Sequence, residues 1–362
     1  MAISSAKSLT DRADVRVWTA GITFVAFAAL AFSIFSAAEA QYGDEAPVAV
    51  ETGGGVPTDG PKIDLTGEPA AGFTARDPVA PPTPSGTVHR ITMVAEEGVL
   101  ELAPGQKQMT WTFDGTVPGP VLRGKVGDTF EITLKNNGEN GHSIDLHASK
   151  VAWNVEMRTI GPDEDLLYRF TANHAGIFMY HCGTPPVIQH IGSGMYGAII
   201  IDPPNLPAVD HEYVMVQSEL YAATTSGPPD FTRMLNEQWG AVVFNGYVNQ
   251  YQHVPVRVEP DQRVRIWVLD AGPSENSSFH VIGTIFDTVF KEGSYLLQPG
   301  QPERGGAQAL DLQPAQGGFV EFDFAVDGLY PFVTHKFASA SKGALGVFQA
   351  GEVQTPEGGA QH

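Results

Sequence analysis

The chain has 362 residues, 42% hydrophobic and 10% aromatic, enough for about two domains with real cores, so disorder throughout is excluded. Its 21 Lys and Arg face 41 Asp and Glu, a formal charge of -20. That balance repels polyanions, argues against nucleic acid as a ligand and favours basic partners at the encounter stage.

Residues 1–40 read as an export segment. Lys7, Arg12 and Arg16 precede an uncharged run from Val17 to Ala38, and Ala38-Glu39-Ala40 offers small residues for cleavage. We expect a cleaved signal peptide. The apolar run is longer than an ordinary signal core and could span a bilayer, so a retained N-terminal membrane anchor is the alternative. Either way the bulk of the chain lies outside the cytoplasm. From 41 to 85 the composition shifts to Pro, Gly, Ala and acids, with Pro81, Pro82 and Pro84 crowded at the end, which predicts a linker or a surface-hugging arm.

After Thr87 short alternating runs are punctuated by turn residues. "GDTFEITLKNNGENG" puts Phe130, Ile132 and Leu134 on one face and Glu131 and Thr133 on the other, and comparable segments recur at "GGFVEFDFAVDG" and "ALGVFQAG". The expected class is all-β, two sandwiches in tandem. An internal duplication supports this: "TFDGTVPG" (112–119) is echoed by "VFNGYVNQ" (243–250), "GIFMYHC" (176–182) by "GLYPFVT" (328–334), and "SGMYGAII" (193–200) by "KGALGVFQ" (342–349). In that alignment Cys182 falls on Thr334 and Met195 on Ala344. Prolines in "DPPNLPAVDH" (202–211) mark the boundary, giving domains at 86–205 and 206–350 and a tail at 351–362.

The chain has one cysteine, Cys182, so no internal disulfide can form and the thiol needs another explanation. His181 and Cys182 are adjacent, and His142 and His147 stand five apart in "GHSIDLHASK". In extended chain, an odd spacing sends side chains to opposite faces. Two sites emerge. One collects His142 and Cys182, completed by His190 and Met195 beyond a Pro-Pro turn; two imidazoles, a thiolate and a thioether are the donor set of an electron-transfer copper centre. The other collects His147 and His181, with Asp145 on the face of His147. A catalytic histidine-bound metal wants a third protein ligand and an open position; His335, directly after the position aligned with Cys182, is the best candidate. His280, in "SSFHVIGTIFD", could face the same cleft. His89, His174, His211, His253 and His362 are expected to be surface or structural.

The motifs "HSIDLH", "YHCGTPPVIQHIGSGMYGAIIID", "SSFHVIGTIFDTVF" and "THKFASASKGALG" resemble those of the copper-containing nitrite reductases, two-domain relatives of the cupredoxins and multicopper oxidases, over about residues 86–350. The Cys182-to-His190 loop matches the branch with the shorter ligand loop. The resemblance implies two cupredoxin-like Greek-key sandwiches and two coppers per subunit: type 1 on His142, Cys182, His190 and Met195, type 2 on His147, His181 and His335. It makes Asp145 and His280 the acid/base pair and Ile282 the apolar cap of the open position. It also implies that His335 comes from a neighbouring subunit of a homotrimer, which fits a duplicated chain whose first domain meets the second domain of the next in a closed ring.

The expected activity is one-electron reduction of nitrite to nitric oxide and water in the periplasm, with a c-type cytochrome or a small cupredoxin as donor and the Cys182-His181 pair joining the two sites. Two rivals stand beside it. A non-catalytic electron-transfer or copper-binding cupredoxin would use only the first site. A small laccase-type oxidase would need H-x-H pairs, and no two histidines in the chain are two apart.

Overall fold

The computed structural model describes residues 60–299 and 305–353. The expected export segment, the start of the arm and the end of the tail lie outside the described residues. Among the described residues no helix is long and apolar enough to cross a membrane.

The first sandwich comprises β1 (Val88–Ala103), β2 (Gln106–Phe113), β3 (Leu122–Lys125), β4 (Thr129–Asn136), β5 (Asp145–Leu146), β6 (Asp165–Thr171), β7 (Gly176–His181) and β8 (Tyr196–Asp202). They form two sheets, ordered β2-β1-β4-β6 and β3-β8-β7-β5. β4 alternates as its sequence predicts, and β6 alternates with it: Phe130, Ile132, Leu134, Leu166, Tyr168 and Phe170 all point into one core.

The second sandwich comprises β9 (His211–Leu220), β10 (Ala241–Phe244), β11 (Val256–Val258), β12 (Arg263–Gly272), β13 (Ser277–Val281), β14 (Thr288–Lys291), β15 (Ser294–Leu297), β16 (Leu310–Leu312), β17 (Gly317–Asp323), β18 (Gly328–Thr334) and β19 (Leu345–Ala350). Its sheets run β10-β9-β12-β17-β14-β15 and β11-β19-β18-β13-β16. Among the described residues five short helices fill connections: α1 (Trp153–Glu156), α2 (Val187–Gly192), α3 (Phe231–Leu235), α4 (Gln250–His253) and α5 (Phe337–Ala340). The fold is all-β, two cupredoxin-like sandwiches in tandem.

The two halves share their wiring. β1 runs parallel to β4 with Ala95 opposite Asn136, and β9 parallel to β12 with Gln217 opposite Asp270. β3 lies parallel to β8 and β11 to β19, while β7 pairs antiparallel with β8 and β18 with β19. The echoed turns share one backbone: Asp114 and Gly115 have φ 55 and 68, Asn245 and Gly246 φ 54 and 81. At Gly246 a Cβ would lie 2.0 Å from the Val117 carbonyl oxygen, so this approach of the two halves requires glycine.

One expectation needs correction. β17, in "GGFVEFDFAVDG", is buried on both faces rather than half exposed. The cause is a third core, in which Ile177, Met179, Ala198 and Ile200 of the first sandwich pack against Val214, Val216, Val243, Trp267, Leu269 and Phe319 of the second. Glu321, the polar residue inside β17, is buried with Arg265 Nε donating to it at 2.7 Å, while Asp323 at the strand end is exposed. Arg265 and, from β3, Arg123 also share Glu212, at 3.2 and 2.8 Å, tying the sandwiches electrostatically.

The described part of the arm lies along both sandwiches. Pro78 O accepts from Val214 N and Ala80 N donates to Glu212 O, each at 2.8 Å, while Tyr251 donates to Arg76 O and Arg123 to Pro81 O. Ala80, Ile63 and Leu65 enter the third core.

Candidate metal centres

β7 ends at His181, so Cys182 is the first residue past the strand, where its N–H donates to Met195 O at 3.1 Å. Met195 N donates in turn to His190 O, at the same distance, which draws α2 back over the strand end. The donor atoms of His142, Cys182 and His190 consequently lie within 4.8 Å of one another, and all three residues are buried. Met195 is fully buried beside them. The Cys182 Sγ accepts from Ser143 N at 3.3 Å. Trp111 walls the group, its ring 5.9 Å from that of His142 and 4.7 Å from that of His190.

Burial pushes the Cys182 thiol up and pushes both imidazoles down, His190 to about 4, so the rings are neutral at ordinary pH. His142 Nδ1 is buried without a hydrogen-bond partner. An orphaned imidazole nitrogen beside a buried thiol and a second neutral ring is costly for a protein alone and apt for a soft metal, so the residues present fit copper.

The second cluster forms on the opposite side of the strand. β5 pairs with β7 so that Asp145 faces His181, and His147 N donates to Met179 O. His147 Nε2 and His181 Nε2 are 3.0 Å apart, too close for two bare lone pairs without a proton or cation between them. Asp145 Oδ2 is 3.9 and 3.8 Å from them. His181 Nδ1 donates to Cys182 O at 2.9 Å, which leaves its Nε2 as the free acceptor. Burial, then the neighbouring His181, lowers His147, with Asp145 opposing. This donor set also fits a metal.

His142 and His147 reach different groups for a reason other than strand parity. The segment from His142 to His147 is a strand only at Asp145–Leu146, with His142 in an isolated bridge to Ile160. The change of side is made by an irregular loop rather than by a continuous pleat.

The structure does not bring His335 to the His147 and His181 cluster within the chain. His335 and His280, ring centroids 5.6 Å apart, line a cavity of about 540 Å³ in the second sandwich with Asn276, Ser277, Ser278, Gln308, Ala309 and Lys336. His280 Nδ1 donates to Gln308 O, and Ile282 is 40% exposed nearby on the chain. Among the remaining histidines, His89 is bonded to Asp128, His211 to Gln262 and His253 to Glu68.

Sequence reasoning passed over Ser143, Trp111 and Glu97. Glu97 Oε1 lies 3.0 Å from His142 Nε2. Its sequence signal is an acidic pair, "AEEG", in the middle of β1.

Residues 95–206 match the multicopper oxidase family. The chain is 34% identical over 279 residues to the copper-containing nitrite reductase of Neisseria meningitidis serogroup A, covering 74% of this chain and 71% of the relative. It is 28% identical over 312 residues to that of Cereibacter sphaeroides, covering 78% and 81%. Among solved structures, the copper nitrite reductase from Nitrosomonas europaea superposes with a TM-score of 0.67 at 37% identity, over 76% of this chain and 98% of that one. Together with the two donor clusters, this similarity along most of both chains shows that the protein belongs to the copper-containing nitrite reductase family.

Proposed function

We propose that this protein is a copper-dependent nitrite reductase forming nitric oxide and water from nitrite, one electron and two protons. The observation that carries the reading is the pair of distinct donor clusters joined through adjacent residues, His181 and Cys182. His142, Cys182, His190 and Met195 would hold a type 1 copper, and His147, His181 and His335 a type 2 copper. Bound copper would supply the one-electron chemistry, with a small cytochrome or cupredoxin as donor, and the adjacent Cys182 and His181 would join the two sites.

The chain's own residues bind and protonate. Asp145 lies within 4 Å of both imidazole Nε2 atoms, placed to hold a proton against a substrate oxygen. His280 supplies the other proton, its ring oriented by Gln308 O. Ile282 caps the site and limits solvent. The cavity with His280 and His335 lies apart from Asp145, His147 and His181, so completing the site takes a second copy. A homotrimer with each His335 crossing to the next subunit does this with one repeated heterologous contact. The charged and then apolar N-terminus supports export to the periplasm.

The test is anaerobic nitric oxide production from nitrite with a reduced donor dye on copper-loaded protein. Steady nitric oxide release is expected. Copper-loaded protein that accepts electrons yet leaves nitrite untouched would instead favour an electron carrier.

A further inference from the structure

The carboxylate of Glu97 is held in a dedicated nest. Oε2 accepts from Glu139 N at 2.8 Å, and Oε1 accepts from Asn140 N at 3.1 Å and Asn140 Nδ2 at 2.9 Å. A Cβ at Gly138 would sit 2.4 Å from Oε2, so the loop is built around this group. The remaining contact of Oε1 is His142 Nε2, at 3.0 Å, in a ring with no exposed surface. His142 therefore carries its proton on Nε2, where Glu97 accepts it, and its Nδ1 is the bare, partnerless nitrogen beside Cys182 and His190.

The second sandwich shows what belongs to the fold and what does not. Glu97 lies opposite Trp111 on β2, two residues beyond the Ala95–Phe113 pair; Glu219 lies opposite Val242 on β10, two beyond Gln217–Phe244. Glu219 likewise accepts from successive loop amides, those of Ser274 and Glu275. There the position matching His142 is Ser277, and no imidazole meets the carboxylate. The nest is common to both halves, whereas the bond to a histidine is confined to the first.

We infer that Glu97 is a positioning residue that fixes the tautomer and orientation of His142 and sets the reduction potential of the type 1 centre. The inference rests on the proposed copper site. A carboxylate bonded to the far nitrogen of a ligating imidazole makes that ligand more electron-rich, which favours the more highly charged metal state. Outer-shell partners of this kind are typically worth about 10- to 100-fold in metal affinity. A tenfold loss confined to the oxidised state raises the midpoint potential by about 59 mV.

The experiment is spectroelectrochemical titration of the visible band in the full copper-loaded chain. Glu97→Gln should raise the potential by roughly that amount. Asn140→Ala, which removes a competing donor from Oε1, should lower it. Glu219→Gln, which disturbs the matching nest in the second sandwich, where no imidazole meets the carboxylate, should leave it unchanged. Opposite signs in the two nest variants are not produced by general loosening, and Asn140→Ala keeps the test alive if Glu97→Gln does not fold. An unchanged or lowered potential in Glu97→Gln, a raised one in Asn140→Ala, or an equal shift in Glu219→Gln overturns the proposal. Absence of a visible band in the wild-type protein would instead sink the copper site on which it rests.

Discussion

The two sandwiches are the same backbone put to different chemical uses. Cys182 N bonds Met195 O and Thr334 N bonds Ala344 O, both at 3.1 Å; Met195 N bonds His190 O and Ala344 N bonds Ser339 O, again both at 3.1 Å. Ser143 N donates to the Cys182 sulfur as Ser278 N donates to the Thr334 hydroxyl. In the first half this frame carries His, Cys, His and Met; in the second it carries Ser277, Thr334, Ser339 and Ala344. The other cluster shows the same exchange. Asp145 pairs with His181 where His280 pairs with Val333, and His147 N reaches Met179 O where Ile282 N reaches Pro331 O. His280 and Ile282 thus occupy the second-half counterparts of Asp145 and His147. Hydrogen bonds made by the main chain survive such exchanges because they do not depend on side chains. The chemistry is therefore decided by a handful of residues on a frame that tolerates either set.

The largest way to break this contrast is Cys182→Ala, which makes the first half resemble the second. Colour and nitric oxide production should fall to background and copper per chain from two to one, as read by absorption and metal analysis; retained colour would refute the assignment. Asp145→Asn comes next. It should keep both coppers and slow nitrite turnover about 100- to 10,000-fold, the usual worth of a positioned acid, and steady-state kinetics with metal analysis checks both halves of the statement.

A third change sharpens the comparison through stability. Asn136 donates through Nδ2 to Asn140 O and Ile160 O, whereas its counterpart Asp270 is fully buried with Oδ2 unpartnered. Burial first, then the nearby Glu219 and Glu275, pushes the Asp270 carboxyl well above its ordinary value. The folded state therefore binds a proton that the unfolded chain releases, and Asp270 costs stability increasingly as pH rises above the ordinary carboxylate range. Asp270→Asn should stabilise the protein by about 1–3 kcal/mol at neutral pH in denaturant unfolding, with the gain vanishing below about pH 4. The smallest effect is expected for Thr334→Cys. It places a thiol on the frame that holds Cys182, should change stability by less than about 1.5 kcal/mol, the usual net worth of one hydrogen bond, and should add no second visible band because Ser277 and Ser339 supply no imidazole.

Much of this was readable from the residues alone. The alternation of Phe130, Ile132 and Leu134 announced β4, and the echo of "GIFMYHC" in "GLYPFVT" corresponds to β7 and β18. What escaped depends on contacts distant in the chain. β17 is buried on both faces because a core between the sandwiches covers its second side. The Pro-rich composition of residues 60–85 allowed a surface-hugging arm but did not say that it would bond Val214, Glu212 and Tyr251. Glu97 was not singled out because its partner His142 lies 45 residues away. Local pattern reports which face a residue takes, and only the packed sheets decide what it meets there.

The central claim is that each chain accounts for two chemically different coppers, on either side of His181 and Cys182, the second completed by a neighbouring copy. Its most direct test is copper analysis combined with electron paramagnetic resonance of the oxidised protein. The account predicts two coppers per chain and two distinct signals, one of which disappears in Cys182→Ala. One copper with a single signal would contradict it.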